Sequence, residues 1–165
     1  MIENNDISSL ESFIYTSLKD QIINLDLLPG AKLSEMKIAK LYGCSRAPVR
    51  GAFSELRVKG YVESRPQVGT FVSKIDLDRV EEIRFVRESV EVAVLNLGIE
   101  KNLFAPKLSL LQANINEMIL ARNQMNLKRF TELDVMFHNI LYSAVNKPFV
   151  SKYCGDNDVH YARLR

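Results

Sequence analysis

The run with the clearest chemistry in this sequence is Ser45-Arg46-Ala47-Pro48-Val49-Arg50. Arg46 and Arg50 stand four apart, so on a helix they share one face. A guanidinium is a planar fork of donors that fits a phosphate or the O6/N7 edge of guanine. Ser45 and the open N–H groups of a helix's first turn can also meet a phosphate. Further on, Arg65 and Gln67 precede Gly69, and a glycine there would let the backbone come close to DNA. Asp134 and His138 carry a second kind of chemistry. They too are four apart, and oxygen and imidazole ligands at that spacing can reach one divalent ion. From spacing alone, such a pair is more often surface or core than a site. Arg87 could hold the carboxylate of a small acid. An ion pair with Glu91, four residues on, is the equal alternative. Arg163 is a weaker candidate of the same kind.

These residues need elements to hold them. Leu10, Ile14, Leu18 and Ile22 recur every four residues, with Phe13 and Leu25 widening the stripe; this predicts an amphipathic helix over 8–25. The run Asp26-Leu-Leu-Pro-Gly30 ends it. Ser34 is a cap for a short helix through Tyr42, with Met36, Ile38, Ala39 and Leu41 as apolar contacts. Gly43 then suits a left-handed exit. Ser45 caps a third helix, with Pro48 in its first turn. Val49, Phe53, Leu56 and Ala52 make its inward face, and Gly60 ends it. Residues 61–65 and 70–73, around a turn at 66–69, predict a hairpin. Two short helices, a tight turn and a hairpin make a winged helix-turn-helix, whose second helix enters the major groove.

From Asp76 the pattern changes to long helices. One is expected to about Asn96, with Val80, Ile83, Val86, Val90 and Val94 as its apolar positions and a break over 98–102. Helical stretches follow over 105–122 and 127–145, and Pro148 opens a weaker one. The expected fold is therefore mainly α. A winged helix-turn-helix with a small β-hairpin wing fills 8–75, and a partial all-α bundle fills 76–165.

Charge follows the same division. Residues 32–74 hold nine Lys/Arg against three acids, a net of six positive charges, whereas residues 76–165 hold twelve of each sign. A basic segment beside a neutral one is what a polyanion-binding unit beside a different unit would show, although a solvated charged face fits as well. No apolar run approaches the roughly 18 residues of a membrane span. The acidic, polar first residues do not fit a signal peptide. Cys44 and Cys154 match no metal spacing and read as free thiols in a reducing compartment, so cytoplasm is expected.

Taken together, Pro29–Glu35, Ile38–Arg50, Leu56–Val62 and Val68-Gly-Thr-Phe-Val72 resemble the GntR family of bacterial regulators over residues 10–75. The resemblance implies DNA contacts at Ser45, Arg46, Arg50 and Gly69. A further basic contact of some members falls on Met36, with Lys37 as a substitute. Cys44 stands where Val is usual, and Gly51 where Glu is common. A glycine inside a helix costs about 1 kcal/mol relative to alanine, and nothing in the sequence accounts for this one.

Phe85–Glu91, Asp134–His138 and Ser143–Asn146 resemble the FCD ligand-binding domain of the FadR-like subgroup. That resemblance implies a divalent metal ion of Zn, Ni or Mn type at Asp134 and His138, with two further histidines that this chain does not supply. His160 matches neither. It also implies Arg87 facing the effector pocket and about six helices, where only three or four fit in 76–165. A fragment or a truncated product is the expectation.

The leading expectation is a bacterial homodimeric regulator that binds a pseudo-palindromic operator in double-stranded DNA. A small carboxylate would modulate it, and no membrane would be involved. A DNA-binding remnant without sensing is the alternative. An enzyme is not expected, because no Gly-rich phosphate loop, nucleophile elbow or paired acid/base constellation is present.

Overall fold

The computed structural model describes residues 4–154 and 158–164. They divide into two compact units, one running to Asp76 and including Ala162–Leu164, the other Leu77–Tyr161.

The first unit begins with α1, Asn4–Ile23. Its every-fourth-residue stripe folds as expected, and Ile14, Leu18 and Ile22 are wholly buried. Each such burial stabilises by roughly 1.5–3 kcal/mol. The two residues expected to widen the stripe do not. Phe13 is exposed and meets Tyr42 edge-on at 6.0 Å between ring centroids. Leu25 lies past the end of the helix, at φ +64°. A short strand β1, Lys32–Leu33, precedes α2, Glu35–Leu41. The Ser34 side chain caps α2 by accepting from the Lys37 N–H. Of the four apolar positions in α2 only Ala39 is buried, while Met36 and Leu41 face solvent. A seven-residue helix has room for one inward turn, so half of its apolar residues must look out. Gly43 takes φ +62° and turns the chain into α3, Arg46–Val58.

After α3, β2 (Val62–Arg65) and β3 (Gly69–Val72) form the hairpin. The wing is more than that hairpin. β1 pairs antiparallel with β3, giving a three-stranded sheet in the order β1-β3-β2. Lys32 and Glu63 therefore both lie opposite Phe71, one on each side. The inner faces of α1, α3 and the sheet share a core of Ile14, Leu18, Leu33, Val49, Phe53, Leu56, Val62 and Val72.

The second unit opens with α4, Leu77–Glu100, which runs past the expected stop near Asn96. Gly98 does not break it. The glycine is buried inside the helix, because the Phe104 ring lies where its Cβ would be, 2.1 Å away. The chain turns instead at Asn102, φ +52°. Val86 is exposed rather than inward, and the buried positions of α4 are Val80, Arg87, Val94 and Gly98. α5 (Leu108–Asn123) and α6 (Leu127–Ala144) follow. Asn126 caps α6 by accepting from the Arg129 N–H at 3.0 Å. The stretch after Pro148 is a 3-10 turn, Pro148–Tyr153, and α7, Val159–Leu164, begins in this unit while its Ala162–Leu164 count with the first. Val94, Leu111, Ile140, Leu141, Tyr142, Val145 and Cys154 form one buried cluster, with Phe104 and Phe137 packed against it. Among the described residues no helix is long and apolar enough to cross a membrane.

Candidate nucleic-acid interface and helical-domain pocket

α3 has two faces of opposite character. Val49, Ala52 and Leu56 are completely buried, and Phe53 nearly so. Arg46 and Arg50 have side chains 59% and 63% exposed. The burial of the apolar face fixes the rotation of the helix, so the arginine edge is presented by packing and not by chance. Ser45 holds the N-cap position with extended backbone, but its hydroxyl makes no capping bond. Pro48 fits the first turn because no helical acceptor waits for its missing N–H.

The two arginines are not independent. Glu35, the first residue of α2, places Oε2 2.8 Å from Arg46 Nη2 and 3.2 Å from Arg50 Nε. The hydrogen bond from Arg46 is the main cause that holds the Glu35 carboxyl below the usual carboxylate range, with Arg50 adding to it against a partial burial cost. This carboxylate is eleven and fifteen residues away from its partners, beyond the reach of any helical spacing rule.

Gly51 lies beside a side chain from another element. The carboxylate of Glu11 on α1 occupies the space beside it, 2.0 Å from where a Cβ would sit. The bare position is filled by a side chain from forty residues earlier.

At the wing, Arg65 donates to Glu63 Oε1 at 2.6 Å, and its guanidinium lies 4.5 Å from the Phe71 ring centroid. The Lys32 ammonium lies 5.8 Å from the same centroid. Both distances are within cation–π range. Gln67 adopts φ +60° and Gly69 φ +133°. The latter is a conformation that favours glycine. The wing therefore presents two cations held by one aromatic ring. Lys32 was not singled out from the sequence, because only the two-residue strand β1 brings it to the wing.

In the second unit, Arg84, Arg87, Glu91, Asp134, His138 and Tyr161 help line a cavity of about 510 Å³. Arg87 and Glu91 come from α4, Asp134 and His138 from α6. Arg87 is 6% exposed. Its Nε donates to Glu91 Oε1 at 2.7 Å, and its guanidinium sits 5.7 Å from the Tyr161 centroid. The same Glu91 oxygen accepts from the Tyr142 hydroxyl at 3.0 Å and lies 2.8 Å from His138 Nδ1. Burial would raise the Glu91 pKa, but His138, Arg87 and Tyr142 together hold it down to about 2. Burial and the neighbouring Cys154 and Glu91 push the Tyr142 phenol well up. Glu91 is thus the hub of the site, whereas the sequence presented it only as a partner for Arg87. A second cavity of about 280 Å³, lined mainly by apolar residues including Ile115, Ile119 and Phe137, shares Asp134 and His138 with the first.

His138 Nε2 is 3.7 Å from Asp134 Oδ1. This brings the expected metal pair together on one face of α6. The donors do not fit an ion, however. Among the described residues no three of His, Cys, Asp or Glu converge so as to hold one. The nearest third carboxylate, Glu91, is already committed to Arg87 and Tyr142. Arg163 lies in the first unit, where it is buried and donates to the carbonyls of Ser73 and Lys74.

Residues 10–72 match the profile of bacterial regulatory proteins of the gntR family, and residues 82–165 match that of the FCD domain. The chain is 36% identical over 125 residues to an uncharacterized HTH-type transcriptional regulator of Streptomyces ambofaciens, covering 76% of this chain and 52% of that protein. It is 33% identical over 128 residues to the HTH-type transcriptional repressor RspR of Escherichia coli K12, covering 78% and 56%. The chain thus spans about half the length of these curated relatives. A crystal structure described as a transcriptional regulator GntR from Rhodococcus sp. RHA1 superposes with a TM-score of 0.69 at 26% identity, covering 94% of this chain and 73% of that one. McbR/YncC of E. coli shares the fold at a TM-score of 0.64 and 23% identity, covering 93% and 72%.

Proposed function

The chain belongs to the GntR family of bacterial regulatory proteins and carries that family's FCD domain, and we propose that it is a transcription regulator that reads operator DNA with α3 and the β2–β3 wing. The observation that carries this reading is the two-faced α3. Its apolar back is buried and its arginine edge, Arg46 and Arg50, is exposed at the N-terminal half. That is the half that enters a major groove. Ser45 and the first-turn N–H groups supply phosphate contacts, and Arg65, Gln67 and Gly69 supply the wing's. A homodimer would place two such helices on a pseudo-palindromic site. Arg46→Ala and Arg50→Ala should each weaken binding to a selected operator while leaving helix content unchanged. If both variants bind as the wild type does, α3 is not the reader.

The second part of the reading is control by a small carboxylate in the 510 Å³ cavity. Its support is Arg84 and Arg87 in the lining, the second already paired with Glu91 as its spacing allowed; both are cations of the kind that fix a carboxylate. A divalent ion is left out of this reading, because the described donors do not fit one. The test is a thermal shift against a panel of small carboxylates, with Zn, Ni and Mn salts in parallel. A carboxylate at a hundred times its Kd should stabilise by about 2.7 kcal/mol. Arg87→Ala should abolish the shift, while metal salts alone should leave the melting temperature unchanged. No shift with any carboxylate would favour a DNA reader that senses nothing.

A further inference from the structure

Glu35 is the feature that the proposed function does not use. An acidic residue at a DNA-facing surface opposes binding to a polyanion, and yet this one sits between the two arginines assigned to reading. Its place is fixed from its own side. It is the first residue of α2, directly after the Ser34 cap, where a helix N-terminus favours a carboxylate. A single oxygen, Oε2, takes both Arg46 and Arg50. Two arginines one turn apart repel each other, and long exposed side chains carry much rotamer freedom. A shared carboxylate offsets the repulsion and restricts both side chains at once.

We propose that Glu35 is a positioning residue that sets the specificity of DNA reading: it holds Arg46 and Arg50 in one arrangement for base edges and discourages their collapse onto phosphates. Specificity is a difference between two affinities, and a repulsive element against the wrong partner raises it as surely as an attractive one for the right partner. The Glu35 carboxylate acts on both. On any duplex it repels the backbone. On the operator it leaves the guanidiniums already ordered, so less freedom is lost when they reach the bases. Because its two arginines hold it below the usual carboxylate range, the device stays charged throughout neutral pH.

The proposal rests on α3 being the reader, and its test keeps the two apart. The full chain and its Glu35→Gln and Glu35→Asp variants are titrated with a duplex selected from random DNA by the wild type, and with a random-sequence duplex, over a salt series. Arg46→Ala and Arg50→Ala run alongside. Glu35→Gln should bind random duplex several-fold more tightly, lower the operator-to-random ratio about ten-fold, and steepen the salt dependence on random duplex by about one phosphate contact. Glu35→Asp keeps the charge but shortens the arm, so the ratio should again fall while binding to random duplex stays near wild type. A ratio unchanged in Glu35→Gln, with both affinities steady or falling together, would overturn the proposal. So would a full ratio retained by Glu35→Asp, since charge alone would then suffice. If the arginine variants bind the operator normally, the reader assignment fails first.

Discussion

Two glycines in helices, Gly51 and Gly98, show how much a single residue depends on what lies beside it. Helix propensity favours alanine over glycine by about 1 kcal/mol at either position. At Gly51 the obstacle to a Cβ is the end of the flexible Glu11 side chain, which can swing away. Gly51→Ala should therefore raise stability, by up to about 1 kcal/mol, and thermal or denaturant melts will read it. Glu91 makes the opposite point, because its surroundings are fixed. Glu91→Gln leaves Arg87 and His138 facing a neutral amide and should cost about 2 kcal/mol at pH 7. The Glu91 pKa is depressed in the folded chain, to about 2. The stability it lends is thus present above the unfolded carboxyl range and is lost as pH falls through about 4.5 toward 2. Denaturant melts of both proteins from pH 7 to pH 3 should converge as the pH drops. A gap that stays constant would mean that the carboxylate charge is not what matters.

At the scale of elements, α4 shows what a sequence conveys and what it hides. Its inward Val80 and Val94 were legible, and so were the Ser34 cap of α2 and the turn at Gly43 before α3. Its end was misplaced because Gly98 looks like a stop. Only the packed structure reveals that Phe104 fills the space over that glycine. Gly98→Ala should therefore destabilise by about 1–3 kcal/mol, the cost of overpacking, against the gain that propensity alone would give. A stabilised Gly98→Ala would show that Phe104 is free to move. β1 was not legible, since two residues carry no alternation to detect. With β1 unseen, the approach of Lys32 to Phe71 at the wing was unseen too. Met36, Leu41 and Val86 mark the same limit. An apolar residue at a helical spacing is inward only where a neighbouring element stands to cover it.

For the molecule as a whole, the sequence changes near Asp76 from a basic stretch to a charge-balanced one. The change of charge and of period both fall near Asp76, where the first compact unit ends. Candidates that lie within one element or hairpin could be picked out by local pattern: Ser45 at the N-cap of α3, Arg46 and Arg50 on it, Gln67 and Gly69 beside the hairpin turn. Asp134 and His138 share a face of α6 as their spacing required. The contacts that organise those candidates were not legible. Glu35 on the arginines, Glu11 over Gly51, and Glu91 among Arg87, Tyr142 and His138 all join different elements, except the i,i+4 pair of Glu91 with Arg87. Such pairings depend on packing, which no local spacing encodes.

The arginine edge of α3 is proposed to read DNA. The most direct test is the affinity of the wild type, Arg46→Ala and Arg50→Ala for a duplex selected from random DNA, with far-UV circular dichroism on each protein. Each substitution should cost about 1–3 kcal/mol of operator binding, with unchanged helix content and a smaller loss on random duplex. Wild-type affinity in both variants would mean that α3 does not read DNA.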